Sequence, residues 1–113
     1  MSERAPKLLI EDIIESAYKI LTYTEGLTYQ QFLSDDKTID AVVRNFEIIG
    51  EAANRLPDSF KNVHSDIDWK RIKGLRNRIV HDYFGIDLLI VWQIRENFLK
   101  DLIKMLAGKL HSL

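Results

Sequence analysis

Arg76, Asn77, His81 and Tyr83 fall within the eight-residue stretch Arg76-Asn77-Arg78-Ile79-Val80-His81-Asp82-Tyr83. A guanidinium can stabilise the charge of a phosphorane, an imidazole can take or give a proton near neutral pH, and an amide and a phenol can hold further hydrogen bonds. Metal-free cleavage of RNA fits such a set best, because RNA carries its own nucleophile, the 2′-hydroxyl. His81 would take that proton or protonate the leaving 5′-oxygen, Arg76 would neutralise charge on the phosphorus oxygens, and Asn77 would orient the phosphate or the imidazole. The products would end in 2′,3′-cyclic phosphate, and chelators would have no effect. A structural histidine at a helix end is the competing reading of the same residue types. On an ideal helix Arg76 and His81 lie about 140° apart, whereas Arg76 and Tyr83 lie within about 20°. For the first pair to converge, the helix must loosen near His81, the arginine must reach round, or another element must complete the site.

The neighbourhood is basic. Lys70, Arg71, Lys73, Arg76 and Arg78 place five cations in nine positions with no acid among them. Such a patch can bind a polyanion even in a chain of net charge −1, and its alternative is a solvated helix face. Arg44, Glu47 and Glu51 form a second polar group at helical spacing. They read either as an ion-pair ladder within one helix or as support that holds Arg76 or His81 in place. Gly50, Ala52 and Ala53 beside them would let another helix approach closely. His64, His81 and His111 are scattered, so no metal site is expected; Asp82 next to His81 is a poor pair of ligands, and His64 and His111 read as surface residues. There is no glycine-rich phosphate loop and no serine in a nucleophilic context, so no cofactor is expected.

These residues must be held by a small fold. The chain has 113 residues, enough for a single domain with modest reserve. Hydrophobic residues make up 46% and charged residues 29%, as in a soluble globular protein. With no cysteine there is neither disulfide nor thiolate chemistry, and no apolar run approaches the ~20 residues that span a bilayer. Residues 1–7 show no secretory signal, so a cytoplasmic location is expected.

Periodicity predicts an all-α protein, a single domain over 1–113, built as an antiparallel four-helix bundle. Leu9, Ile10, Ile13, Ile14, Ala17 and Leu21 mark the first helix, begun by Pro6 and closed by Gly26. Residues 27–33, with Tyr29 and Phe32, suit one extra short helical turn. The second helix opens near Asp35, carries Ile39, Val42, Val43, Phe46, Ile49, Ala53 and Leu56, and stops at Pro57. A polar loop is expected to Asp66. Asp68 caps a third helix with Trp69, Ile72, Leu75, Ile79 and Val80 inward, broken at Phe84-Gly85. Asp87 caps a fourth, with Leu88, Val91, Trp92, Leu99, Leu102, Ile103 and Leu106 on its stripe, ended by Gly108. No β signal is visible. Ile90, Ile94 and Phe98 repeat off the seam of the fourth helix. That surplus suggests packing against a second copy of the chain, or a helix at the bundle centre.

Arg76-x-x-x-x-His81-x-Tyr83, with Asn77 after the arginine, resembles the signature of the HEPN superfamily. The segments from Arg44 to Ala53, from Trp69 to Asn77, and Asp87-Leu88 with Val91-Trp92 resemble the HepT (DUF86) family through nearly the whole chain. The resemblance implies a HEPN-like helical bundle that forms a homodimer, with two motif copies facing a shared cleft. It implies a ribonuclease toxin paired with an MNT-type minimal nucleotidyltransferase as antitoxin, which would adenylylate Tyr83. Arg76 and His81 would then be catalytic, with Asn77, Glu47 and Arg44 in support and Lys70, Arg71, Lys73 and Arg78 tracking RNA. An alternative is a non-catalytic helical partner of such a nucleotidyltransferase.

Overall fold

The computed structural model describes residues 4–81, 85–111 and 113, apart from the side chains of Arg76, Val80 and His81. Helix α1 spans Pro6–Tyr23, with proline in its first turn, where no amide hydrogen is needed. It ends at Thr24, whose hydroxyl donates to the Ile20 carbonyl at 2.8 Å, and Gly26 turns the chain at φ 77°. A short helix α2, Tyr29–Leu33, follows behind a capping box between Thr28 and Gln31. It buries Phe32 completely, and the Trp92 ring packs on it at 5.2 Å, so the expected extra turn covers the core.

Helix α3, Asp36–Arg55, is the spine of the bundle. Asp35 caps it by accepting from the Thr38 amide at 3.1 Å and the Thr38 hydroxyl at 2.7 Å. The hydroxyl first, then the amide, hold the Asp35 carboxyl below the ordinary carboxylate range. Val42, Phe46, Ile49 and Ala53 are completely buried, and α1 is the helix that packs most extensively on α3. Asn45 is also buried, with its amide group donating to the Ala41 carbonyl at 2.8 Å.

The segment expected as a polar loop instead holds α4, Asp58–Val63. It has no fully buried residue of its own. Its apolar anchor is Phe60, which packs on the ring of Trp69 at 6.1 Å and of His64 at 4.4 Å. His64 is therefore half-buried rather than a free surface residue, while His111 is exposed.

The expected third helix is two. Asp68 caps α5, Trp69–Lys73, and accepts from the Arg71 amide at 3.1 Å; Gly74 then separates α5 from α6, Leu75–Ile79. After α6 the backbone enters strand β1, Val80–His81, paired antiparallel with strand β2, Gly85–Ile86. This small ladder corrects the expectation of no β-structure; two-residue strands are too short to show alternation. Asp87 then caps α7, Leu88–Asn97, accepting from the Ile90 amide at 3.1 Å. The fourth helix is also divided. Phe98, at φ −129°, separates α7 from α8, Leu99–Leu110, which lies along α1 and runs past Gly108.

The surplus apolar face of the fourth helix is mostly spent within the chain. Ile94 is 3% and Phe98 8% exposed, and Ile90 packs partly against the core, as expected of a helix near the bundle centre. That face therefore does not carry an argument for a second copy. Among the described residues no helix is long and apolar enough to cross a membrane.

Candidate functional site

Four apolar anchors fix the α5–α6 segment. Trp69, Ile72, Leu75 and Ile79 are all buried, and the Trp69 indole donates to the His64 carbonyl at 3.0 Å. Lys70, Arg71, Lys73, Asn77 and Arg78 are consequently exposed. Apart from Lys70, they are divided between two clefts. Lys73 and Asn77 line a groove of about 370 Å³ with Glu47, Gly50, Glu51 and Asn54 of α3. Arg71 and Arg78 line a separate cleft of about 200 Å³ with Gln93, Ile94, Asn97 and Phe98 of α7 and its end. Lys70 lines neither. Within α5, positions 71 and 73 lie about 160° apart round the helix axis, which sends their side chains to different sides. Counting charges along the chain hides the division.

In the cleft, the Arg71 guanidinium lies 4.2 Å from the centroid of the Phe98 ring. Such stacking fixes the cation over a buried aromatic surface while leaving its edge donors open. In the groove, Glu47, Gly50, Glu51 and Asn54 form a single stripe of α3, at intervals of three and four residues. The ladder expected between Arg44 and Glu47 is not formed among the described residues. Arg44 is exposed on α3 and does not line the groove, so the structure brings Glu47, but not Arg44, alongside Asn77. Glu51 lines the groove as the polar group of Arg44, Glu47 and Glu51 suggested, whereas Asn54 was not predicted, although its helical spacing from Gly50 and Glu51 placed it on the same face. Gln93 and Asn97 carried no comparable signal, because nothing in the periodicity says which helix face meets Arg71.

The side chains of Arg76 and His81, and all of Asp82, Tyr83 and Phe84, lie outside the described residues. The backbone at positions 76 and 81 is described. Position 76 is in the first turn of α6, whereas 81 is in β1, opposite Gly85. The Asp87 amide donates to the Ile79 carbonyl at 2.7 Å, which ties the end of α6 to the start of α7. The helix thus ends two residues before His81, and the angle of about 140° that an ideal helix would impose does not apply. The loosening of the helix named above as one way to bring the pair together is therefore present in the backbone.

An all-α bundle carrying this motif where a short helix gives way to a hairpin is a HEPN-like helical protein. The family model described as "Ribonuclease HepT-like" matches residues 13–107. The chain belongs to the HepT-like ribonuclease family. It is 37% identical over 111 residues to "Probable ribonuclease HepT" of Thermococcus cleftensis, covering 98% of this chain and 97% of that protein. It is 38% identical over 94 residues to "Putative RNase MJ0127" of Methanocaldococcus jannaschii, covering 83% and 78% of the two chains. A Caldanaerobacter subterraneus protein, "Putative RNase TTE0752", is 34% identical over 90 residues, with 80% of each chain covered. No solved structure matches the chain.

Proposed function

We propose that the chain is a metal-independent endoribonuclease that acts as the toxin of a HEPN/MNT pair. The observation that carries this reading is an intact Arg76-x-x-x-x-His81-x-Tyr83 motif, with position 76 in α6 and position 81 beyond its end, in a chain whose relatives are named as ribonucleases. In the proposed reaction the 2′-oxygen attacks phosphorus while His81 takes its proton. The P–O5′ bond breaks, and the protonated His81 returns that proton to the leaving 5′-oxygen. The products are a 2′,3′-cyclic phosphate and a 5′-hydroxyl, so no water is consumed in this step. Arg76 stabilises the charge on the non-bridging oxygens, worth roughly 2.7–4 kcal/mol for a single well-placed donor. Asn77 orients the phosphate, with Glu47 and Arg44 in support. Lys70, Arg71, Lys73 and Arg78 hold the RNA backbone on both sides of α5–α6.

Two chains would pair so that their motifs share a cleft. The exposed Ile86, in β2, and Leu89, at the start of α7, support such a contact. A nucleotidyltransferase antitoxin would silence the enzyme by adenylylating Tyr83, because the added phosphate would occupy the basic site and repel RNA. The test is expression without the antitoxin. Growth arrest that requires His81 supports the toxin; no arrest, with or without His81, supports a non-catalytic partner of the nucleotidyltransferase instead.

A further inference from the structure

Two carboxylates beside a site meant for a polyanion need a purpose. Glu47 and Glu51 stand on the α3 wall of the groove, with Asn54 continuing their stripe, and Lys73 and Asn77 stand on the other wall. The stripe is about 10 Å long at the rise of an α-helix. The groove holds about 370 Å³, and Gly50 contributes no side chain to fill it. Among the described residues no ion pair joins Lys73 to either carboxylate, so the walls are not closed on each other.

The two carboxylates would repel a phosphodiester at the α3 wall of this groove, which leaves phosphate contacts to Lys73 and Asn77 on the opposite wall. An unpaired base carries no such charge, and its edge can be matched to the lining. Single-stranded RNA is read mainly through splayed bases bound on these edges. The Watson–Crick edge of guanine presents the acceptor O6, then two adjacent donors, N1–H and the 2-amino group. A carboxylate is acceptor-only with two oxygens in one plane and fits the donor pair, while an ammonium or a side-chain amide can donate to O6. Adenine, cytosine and uracil lack two adjacent donors on that edge. Asn77 is bonded directly to Arg76, so the groove lining includes the residue next in the chain to the proposed catalytic arginine.

We propose that the groove between α3 and α5–α6 is a guanine-reading subsite, in which Glu51 and Glu47 accept from N1–H and the 2-amino group of a base flanking the cut phosphodiester. Glu51 and Glu47 are then specificity-determining residues. The inference rests on the ribonuclease reading for its substrate.

The test uses oligodeoxynucleotides with one ribonucleotide at the cut position and guanine, inosine, adenine, cytosine or uracil at the adjoining position on either side. Inosine removes only the 2-amino group. The wild-type chain is expected to cleave the guanine substrate with kcat/KM about tenfold above the inosine substrate, as for one good base contact. Glu51→Gln and Glu47→Gln should each bring that ratio towards one. A residue that only shapes the fold would change the rates on all bases together and leave the ratio alone. Equal cleavage of guanine and inosine by the wild type, or an unchanged ratio in both variants, overturns the proposal. All-deoxy counterparts, which cannot be cut, separate the two readings by fluorescence anisotropy. Guanine-selective binding without cleavage of the ribonucleotide substrates supports the subsite and removes the nuclease. Cleavage without base preference removes the subsite alone.

Discussion

Replacing Leu75 with alanine should weaken the fold at the point where it holds the motif. Leu75 is completely buried and immediately precedes Arg76. Its side chain is one of four that press α5 and α6 onto the bundle, so its loss removes apolar contact and leaves a cavity. Leucine-to-alanine changes at such sites cost about 2–5 kcal/mol. Here α6 is only five residues long, bounded by Gly74 and by β1, so it can settle partway into the space, and about 3 kcal/mol is expected. A chain of this size has roughly 6–17 kcal/mol in total, so the variant still folds. Urea unfolding followed by circular dichroism should show a lower midpoint with an unchanged slope, and a Tm lower by about 12–20 °C. Leu75→Met, which keeps the volume, should recover most of the loss. A cost below about 1 kcal/mol at unchanged slope would refute the claim that this anchor seats the motif helix.

Thr24 joins the end of α1 to α7: its hydroxyl accepts from the Arg95 Nε at 2.8 Å in a buried position. Thr24→Val should cost about 1–3 kcal/mol in urea unfolding, because it deprives a half-buried guanidinium of an acceptor, and Thr24→Ser should not. Asp35 and Asp66 both sit below the ordinary carboxylate range in the folded chain, Asp35 through Thr38 and Asp66 through the Lys109 ammonium at 2.8 Å. Folded values below the unfolded ones mean that their contribution is complete above the unfolded pKa and fades as pH falls through the folded pKa. The urea midpoint should therefore decline below about pH 4, and less steeply in Asp66→Asn. Arg71→Gln and Arg78→Gln should each reduce the salt slope of RNA binding by about 0.7, measured by anisotropy across a salt series.

The ends of the long helices were legible because single residues mark them: Pro6 and Gly26 for α1, Asp35 and Pro57 for α3, Asp68 and Asp87 for the segments on either side of the motif. Interruptions inside the stripes were not. Gly74 lies within an unbroken apolar pattern and holds φ −81°, a value any residue adopts, so it did not read as a break. Phe98 carries no breaker chemistry at all, and α4 rests on the one ring of Phe60. The motif was legible as residue types; that α6 ends before position 81 was not, because the apolar stripe runs on through Ile79 and Val80. The groove was half legible. Glu47, Glu51 and Asn54 share a face by spacing alone, but that Lys73 and Asn77 stand opposite them is a fact of packing between elements distant in the chain.

The most direct measurement is digestion of RNA by the purified chain in excess chelator, with the fragment ends identified by mass spectrometry, beside His81→Ala and Arg76→Ala. The wild type is expected to give 2′,3′-cyclic phosphate and 5′-hydroxyl ends, and either variant none above background while both stay folded. Fragments with other ends, cleavage that stops when metal is removed, or full activity in either variant would contradict it.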